Sequence, residues 1–520
     1  MTDQLLEKEF FDTEYLKADL KGRSVRGAAV TMAAQGARFF LQMGSTVVLA
    51  RLLTPQDFGL IAMVTAVTGF VMMFKDMGLS MATVQRAEVN HAQISTLFWI
   101  NVAVSLAIML LTTALAPAIA WFYGEPRLTW ITLALAGAFI FGGFTVQHQA
   151  LLRRHMRFGA LALVQIISMS VGVAAAIITA LYGAGYWSLV VMQLATAISI
   201  AVGVWIASEW HPGWPRWGSG VGSMLAFGRD ITGFHIINYF ARNSDKILVG
   251  RFCSSGILGL YSKAYNLLML PISQICGPLT SVAVPALSRI QDDPKRYTSY
   301  YSKLILLISF ISMPLIVFLA ICSKSIIHLL LGKQWLGMSS IFQILAITAF
   351  IQPVFTISIG VVLFSMGQTV RLLKFGVFNS LIVVTSFAIG IRWGAVGVAS
   401  AYTVANYLIL FPSLWYCLRL TPISIAIFLK AVARPAIASF VMALAILLAS
   451  PFLVKQCDIV IVCTNLAIGF CAYFLVWSLM PGGMQILRDF YGYFAFIFIK
   501  DNRTDNVQIC EVINEAEDYD

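Results

Sequence analysis

Charged residues are scarce in this chain of 520 residues, at 11% against 59% hydrophobic residues. Soluble proteins carry about 25% charged residues, so the composition excludes a set of ordinary cytosolic domains. Acidic residues are rarer than basic ones, and 13 of the 24 acids lie in residues 1–27 and 501–520. Between these two tails the chain has 29 basic residues and 11 acidic ones, a net charge of +18. The composition predicts a cationic, membrane-embedded body between two acidic tails.

The chain also lacks the patterns that mark disulfide frameworks, zinc sites and common enzymes. Its eight cysteines form no Cys-x-x-Cys pair, and no Walker A, HExxH or Ser or Cys nucleophile motif occurs. Residues 1–27 have no short apolar core with a cleavage site, so we expect no removable signal peptide. We therefore expect a protein that is not an enzyme, holds no cofactor and binds no nucleic acid.

Long apolar segments fill the middle of the chain. Cut at prolines, glycines and charges, the sequence gives about fourteen candidate membrane spans of roughly 20 residues. The tails and the loops of one parity, with their flanks, hold 22 of the 35 basic residues, which predicts that both termini are cytoplasmic. The spans lie near 28–50, 59–77, 94–121, 128–150, 160–182, 186–207, 224–251, 256–280, 303–322, 341–363, 372–391, 395–418, 429–450 and 458–480.

An internal repeat relates the two halves. Residues 48–60, VLARLLTPQDFGL, align with 248–260, LVGRFCSSGILGL, at an offset of 200. Two later pairs of motifs follow in the same order, RRHMRFG with RLLKFG after spans 4 and 10, and Gly-Ala before spans 6 and 12. Because each copy has six spans, both copies have the same orientation and are related by an axis along the membrane normal.

These features predict an all-α polytopic membrane protein with two parallel six-helix lobes and an appended pair of helices. The predicted segments are a cytoplasmic tail 1–27, a first lobe 28–207, an inter-lobe loop 208–223, a second lobe 224–418, the appended pair 419–480 and an acidic cytoplasmic tail 481–520.

Polar side chains follow one face of the first span of each lobe. Gln35, Arg38, Gln42 and Ser45 have helical spacing, and His235, Asn238, Arg242 and Asp245 take the same positions in span 7. An ionised side chain at mid-bilayer costs roughly 3 kcal/mol or more, so both stripes are expected to line a cleft between the lobes. Arginine binds phosphate oxygens in a bidentate manner, which suits an anionic cargo. The candidate ligands are Arg38, Arg242, Lys246, Lys263, Gln42 and Asn238.

Each of these cations has a structural alternative. Asp245 and Lys246 follow Arg242 by three and four residues, so the three could form a self-neutralising cluster. Arg38 could pair with an acid on a neighbouring helix, and Lys263 could extend its ammonium to the membrane surface.

Residues at the span ends have similar alternatives. Four tryptophans could stack on sugar rings, but their position at the end of span 6 favours an aromatic belt. Arg51 and Arg251 at external span ends favour helix anchors. The four tryptophans are Trp205, Trp210, Trp214 and Trp217.

Several motifs resemble those of one transporter family. The similarity covers roughly residues 25–450 and identifies the chain with the Wzx-type flippases of the polysaccharide transport family, closest in look to the WzxC branch of exopolysaccharide exporters. This family belongs to the MOP superfamily, with MATE-type exporters and lipid II flippases. The motifs are ARLLTPQDFGL at 50–60, DMGLSMATVQR at 76–86, ALLRRHMRFGALA at 150–162, GAGYWSLV at 183–190, DKILVGR at 245–251 and LGLYSKAYNLLMLP at 258–271.

The resemblance implies two six-helix bundles around a cationic cavity. It also implies transport of undecaprenyl-diphosphate-linked oligosaccharides across the bacterial inner membrane, for exopolysaccharide, capsule or lipopolysaccharide synthesis. Expected partners are that lipid, the bilayer, a polysaccharide polymerase and a chain-length regulator. Direction could come from H⁺ or Na⁺ coupling through Asp245 or His235, or from downstream polymerisation.

Four other classes remain open at this point. A MATE-like multidrug or small-molecule exporter would be expected to carry acids in its first lobe, and spans 3–6 contain none. A major-facilitator transporter usually carries a GxxxDR pattern between spans 2 and 3, which is missing here. A membrane polysaccharide polymerase or glycosyltransferase would be expected to show a large external loop or paired acids. If the chain were only a structural partner in an assembly of synthesis proteins, its intramembrane arginines would have no evident role.

Overall fold

The structure is a computed structural model that describes residues 20–72, 79–86, 89–215, 239, 243–453, 455–489 and 492. Throughout these residues the secondary structure is helical, with short turns between the helices. The N-terminal half contains eight helices among the described residues. They are α1 (Leu20–Leu52), α2 (Pro55–Met72), α3 (Leu79–Gln85), α4 (His91–Tyr123), α5 (Arg127–Ala136), α6 (Ala138–Arg154), α7 (Phe158–Leu181) and α8 (Trp187–Ser208).

The C-terminal half repeats this pattern of long helices and adds a pair. Two short 3₁₀ helices, Lys333–Met338 and Ile391–Trp393, connect longer elements. The α-helices are α9 (243–252), α10 (Ser255–Arg289), α11 (Pro294–Ile321), α12 (Ser323–Leu331), α13 (Ser339–Ser365), α14 (Thr369–Gly390), α15 (Gly394–Leu418), α16 (Ile425–Leu453) and α17 (Asp458–Leu479).

Ten helical segments among the described residues are long and apolar enough to cross a membrane, so the chain is a multi-pass membrane protein. Four features separate this number from the predicted fourteen, and one of them is that predicted span 7 lies largely outside the described residues. Helix α1 carries five basic residues, α2 has only 18 residues, and α14 with α15 forms one continuous helical segment of 50 residues. The polytopic all-α fold is confirmed, and the count of fourteen stays a prediction.

Local sequence signals set several helix ends. Asn90 caps α4 by accepting from the Gln93 amide at 2.8 Å, and the Gln93 side chain accepts from the Asn90 amide in return. Gly124 ends the same helix in the left-handed conformation, with φ of 68°. Asp293 caps α11 in front of Pro294 at the first helical position. Polar residues between the apolar runs therefore fix where the long helices begin and end.

The appended helices pack on the second half of the chain. Helix α16 lies along α11, and α17 packs beside α16. The Tyr473 hydroxyl of α17 donates to the Phe310 carbonyl of α11 at 2.9 Å, and Trp477 is fully buried in the same cluster. At the other end of α17, Asp458 lies 2.5 Å from His328 of α12. The pair is thus attached to α11 and α12.

Candidate functional site

Helices α2 and α10 of the two halves cross at two glycines of the sequence repeat. A β-carbon on Gly59 would overlap the carbonyl oxygen of Ser255, and a β-carbon on Gly259 would overlap that of Pro55. Only glycine permits this approach, since it has no β-carbon. The contact is reciprocal, with residue 59 on 255 and 259 on 55, as a two-fold relation between the copies requires. We call Gly59 and Gly259 the glycine crossing.

Hydrogen bonds join the two halves at the same end of the molecule. The Arg51 guanidinium donates to two carbonyl oxygens in the last turn of α12, at 3.3 and 2.5 Å. Gln334 and Trp335 donate to one carbonyl oxygen near the end of α1, at 2.6 and 2.8 Å. Carbonyls in a last helical turn have no partner within the helix, which makes them good acceptors. Arg51 does anchor a helix end, but one in the opposite half. We call the Arg51, Gln334 and Trp335 contacts the latch.

A cavity of about 520 Å³ lies among α1, α6, α7 and α8 of the first half. This volume is in the range of pockets that bind small ligands, roughly 300–1,000 Å³. Among the described residues that line it, Lys263 of α10 is the single charged side chain and comes from the second half. The polar lining residues are Gln42, Ser45, Thr46, Thr145, Gln149, Gln193, Thr196 and Lys263. Two predicted site residues, Gln42 and Lys263, therefore meet at one cavity.

Arg38 lies one helical turn before Gln42 on α1 and is exposed. Its Nη1 donates to Oε1 of Gln165 on α7 at 2.9 Å, a neutral partner that leaves the charge uncompensated. Counted at 1.5 Å per residue, Arg38 lies about 21 Å from the latch end of α1, within the thickness of a bilayer core. No ion pair joins Arg38 to a carboxylate in the described part of the chain. Asp76 and Asp230, acids in or near the predicted spans that could pair with Arg38, lie outside it.

Lys263 reaches across to the first half. Its Nζ lies 4.1 Å from the centroid of the Phe58 ring on α2, a cation–π contact. Further along α10, Gln274 accepts a hydrogen bond from the Gln35 amide of α1 at 3.0 Å. Gln35 of the polar stripe therefore contacts the second half, whereas Arg38 contacts α7 of the first half, so the orientation of the whole stripe towards the cleft stays a prediction.

Asp245 and Lys246 lie apart from this cavity. Asp245 is buried at 5% exposure and accepts a hydrogen bond from the Tyr261 hydroxyl at 3.0 Å. Lys246 Nζ lies 3.4 Å from the side-chain oxygen of Asn243, one turn back on α9. Both side chains are thus held within α9 and α10, and neither lines the 520 Å³ cavity.

Three predicted site residues lie outside the described residues: His235, Asn238 and Arg242. The expectation that span 7 carries a second polar stripe facing the cleft stays a prediction. Among the residues that the structure does describe, no group of three or more His, Cys, Asp or Glu side chains could hold a metal ion.

Arg154 has a structural role that its sequence motif did not reveal. Its guanidinium is buried and donates to the carbonyl oxygens of Thr83 and Arg86 at the end of α3, at 3.1 and 2.5 Å. The repeat motif after span 4 therefore holds a short helix in place. Because α3 is far away in sequence, spacing alone gives no signal for this contact.

The aromatic-belt interpretation is wrong for Trp210, which is buried, and stays a prediction for the half-buried Trp205. Trp205 stacks on His148 with ring centroids 4.5 Å apart, and Trp210 is 4% exposed and lies edge-on to the same imidazole at 5.1 Å. Both rings pack in the core of the first half, while Trp214 is 85% exposed. The residues after α8 fold back onto α4, where the Trp99 indole donates to the Gly213 carbonyl at 2.9 Å. Trp210 is therefore buried although it follows the end of a span.

The sequence of this chain is similar to those of known proteins. Residues 48–340, more than half of the chain, match a family described as polysaccharide biosynthesis protein. The chain is 23% identical over 394 residues to the lipopolysaccharide biosynthesis protein WzxC of Escherichia coli K12, covering 74% of this chain and 79% of that one. It is 24% identical over 413 residues to the succinoglycan biosynthesis transport protein ExoT of Rhizobium meliloti, covering 78% and 83%.

Solved structures share the fold. The lipid II flippase MurJ in an inward closed conformation superposes with a TM-score of 0.70 at 16% identity, covering 88% of this chain and 98% of that one. An inward-facing multidrug transporter of the MATE family superposes with a TM-score of 0.56 at 14% identity, covering 73% and 93%. Both likenesses concern the arrangement of helices.

Proposed function

Because this chain belongs to the polysaccharide biosynthesis protein family, we propose that it translocates undecaprenyl-diphosphate-linked oligosaccharide repeat units across the bacterial inner membrane. The units serve exopolysaccharide, capsule or O-antigen synthesis. The match confirms the resemblance to Wzx-type flippases, and relatives named for polysaccharide biosynthesis and transport support a transporter rather than an enzyme. A lipid bilayer and the lipid-linked oligosaccharide are its immediate partners, and a polymerase and a chain-length regulator act after it.

The observation that carries this proposal is the placement of two cations at membrane depth, one lining the polar cavity and the other one helical turn from a residue that lines it. Arg38 and Lys263 have no carboxylate partner among the described residues, and Gln42, one helical turn from Arg38, lines the same cavity as Lys263. A planar guanidinium binds two phosphate oxygens at once, so Arg38 is the diphosphate ligand. Lys263 is a second positive charge for the diphosphate or for an acidic sugar.

Residues of span 7 complete the proposed site. Arg242, Lys246 and Asn238 are the proposed ligands from the second lobe, Lys246 from outside the 520 Å³ cavity, and His235 and Asp245 are the candidates for H⁺ or Na⁺ coupling. The buried hydrogen bond between Tyr261 and Asp245 supports a role for this carboxyl apart from cargo binding. The lobe limits 28–207 and 224–418, with the appended pair at 419–480, belong to the same proposal.

The glycine crossing and the latch support a rocking mechanism. With both termini in the cytoplasm, the latch closes the external end, and the diphosphate reaches Arg38 from the cytoplasmic leaflet while the lipid tail stays in the bilayer. Rocking of the lobes separates the glycine crossing and the latch, which opens the external end and exposes the head group to the periplasm. A MATE-like drug exporter is disfavoured, since no carboxylate lines the cavity among the described residues to attract a cationic drug.

The test compares Arg38→Lys, Arg38→Ala and Arg38→Glu with Arg434→Ala, which removes an exposed arginine from α16. Lipid-linked oligosaccharides are measured by mass spectrometry in a strain without its own copy, with leaflet sidedness assayed in spheroplasts. We expect cytoplasmic accumulation with Arg38→Glu and Arg38→Ala, partial transport with Arg38→Lys, and normal transport with Arg434→Ala. Normal transport by Arg38→Glu would remove this arginine from the site. Repeat units that reach the periplasmic leaflet without this chain would refute the flippase proposal itself.

A further inference from the structure

Three glutamines on three helices line the cavity of the first half: Gln42 of α1, Gln149 of α6 and Gln193 of α8. None of their side-chain amides makes a hydrogen bond within the part of the chain that the structure describes, unlike Gln147, which accepts from Thr83 at 2.9 Å. Each amide has two N–H donors and one oxygen acceptor. At membrane depth such groups need a polar partner, because hydrocarbon offers none.

Hydroxyl groups complete the lining. Thr145 and Thr196 donate to carbonyl oxygens of their own helices, at 2.8 and 2.7 Å. Their protons are therefore used, but the lone pairs of both oxygens remain available as acceptors. Ser45 donates to the Gln42 carbonyl at 2.9 Å in the same way. The cavity wall thus combines amide donors with amide and hydroxyl acceptors.

Charge narrows the class of ligand. The described lining residues include no carboxylate, so a cationic ligand would have no counter-ion in the cavity. The single ammonium group among them belongs to Lys263 of the second half and lies against the Phe58 ring. A neutral wall that both donates and accepts hydrogen bonds matches a neutral ligand rich in hydroxyl groups. Sugar rings have this chemistry.

We propose that this cavity binds the uncharged sugar residues next to the diphosphate, through Gln42, Gln149 and Gln193. The inference rests on the proposed function, since the ligand is the oligosaccharide of the lipid-linked unit. Arg38 lies one helical turn before Gln42, so a diphosphate at Arg38 directs the first sugars into the cavity. Selection of the neutral sugars is thereby assigned to the first lobe.

The test uses the full chain in lipid nanodiscs and two probes, undecaprenyl diphosphate and the lipid-linked oligosaccharide fraction extracted from a host strain that lacks this chain. Gln149→Met and Gln193→Met keep the side-chain length and remove the amide. Each is expected to weaken binding of the oligosaccharide lipid about fivefold, and the double variant about 25-fold, with binding of undecaprenyl diphosphate unchanged. Gln343→Met, outside the cavity, is the matched control and binds both probes as the native chain does.

The outcomes separate this proposal from the proposed function. Native affinity of the double variant for the oligosaccharide lipid overturns the glycan pocket, and so does an equal loss for both probes, which would indicate a structural defect. A native chain that binds both probes equally well also overturns the pocket and leaves the diphosphate site intact. A native chain that binds neither probe overturns the proposed function. If the methionine variants fold poorly, Gln149→Asn takes their place, because it keeps the amide on a side chain that is shorter by one methylene. An intermediate loss of affinity for the oligosaccharide lipid, with binding of undecaprenyl diphosphate unchanged, then supports the pocket.

Discussion

Replacing either glycine of the glycine crossing by alanine should open the latch end of the protein. A β-carbon on Gly259 would overlap the carbonyl oxygen of Pro55, which is backbone of the opposite helix and cannot rotate away. Helices α2 and α10 must then move apart by about an ångström. Gly277→Ala on the same helix is the matched control, because a β-carbon there meets no atom within 4 Å.

The size of the effect follows from packing and from hydrogen-bond geometry. Overpacking of a close contact costs about 1–3 kcal/mol, and each 1.4 kcal/mol changes an equilibrium tenfold. The latch hydrogen bonds of Gln334 and Trp335, at 2.6 and 2.8 Å, would stretch past the distance at which they contribute. We therefore expect the population closed at this end to fall by about one to two orders of magnitude relative to the open one.

Labelling of a buried residue at the latch measures this shift. Leu53 is 2% exposed in the turn between α1 and α2, so Leu53→Cys, in a chain whose native cysteines are replaced, should react slowly with a membrane-impermeant maleimide. Adding Gly259→Ala should raise the labelling rate at least tenfold and reduce oligosaccharide transport. If Gly259→Ala labels and transports like Gly277→Ala, close contact at the crossing does not hold the latch end closed, and this reasoning fails.

Three further substitutions test individual contacts. Arg51→Ala should raise Leu53→Cys labelling severalfold while Arg51→Lys restores part of the protection, and equal labelling in both variants would argue against the latch. Arg154→Ala should lower thermal stability in detergent by about 2–3 kcal/mol, since the buried carbonyls at the end of α3 lose a charged donor; an unchanged melting temperature would contradict that role. The Arg127 guanidinium holds the pKa of the half-buried Glu125 carboxyl below its usual range, so its stabilisation is present at neutral pH and lost as the pH falls through that lowered pKa. Glu125→Gln should therefore reduce the melting temperature slightly at neutral pH and not in strong acid, and an equal effect at both would refute the assignment.

The helices and the repeat could be predicted because their signals are local in the sequence. Apolar runs placed the long helices to within a few residues at most ends, as with α17 at Asp458–Leu479 against a predicted 458–480. The offset of 200 between Gly59 and Gly259 predicted two related halves. In the structure these two glycines make equivalent contacts with the opposite half, as related halves would. Spacing on α1 likewise predicted that Arg38 and Gln42 share a face.

The rest of the candidate site depends on contacts between distant segments, which spacing does not contain. Gln149 and Gln193 are single glutamines on different helices, and only the packing of α8 against α6 and α7, and of α7 against α1, brings them to one cavity. Trp210 lies after the end of a span, yet the chain returns onto α4 and buries it. Asp245 has the periodicity of a cleft residue, but a hydrogen bond from Tyr261 on the next helix holds it in the interior.

The chemistry of the latch also bears on how the cycle is driven. Its five hydrogen bonds all end on backbone carbonyls at helix ends, and no ion pair between described residues joins the halves there. At about 0.5–1.5 kcal/mol net for each bond, the latch contributes a few kcal/mol. Moving a two-state equilibrium from 1:99 to 99:1 takes about 5.5 kcal/mol, which cargo contacts at Arg38 and the glutamine-lined cavity supply only where they are made in one state and lost in the other. A latch of buried ion pairs would be costlier to open, because each separated charge would remain desolvated. The neutral latch and the cationic interior therefore suit a transporter in which binding of the cargo itself shifts the lobes.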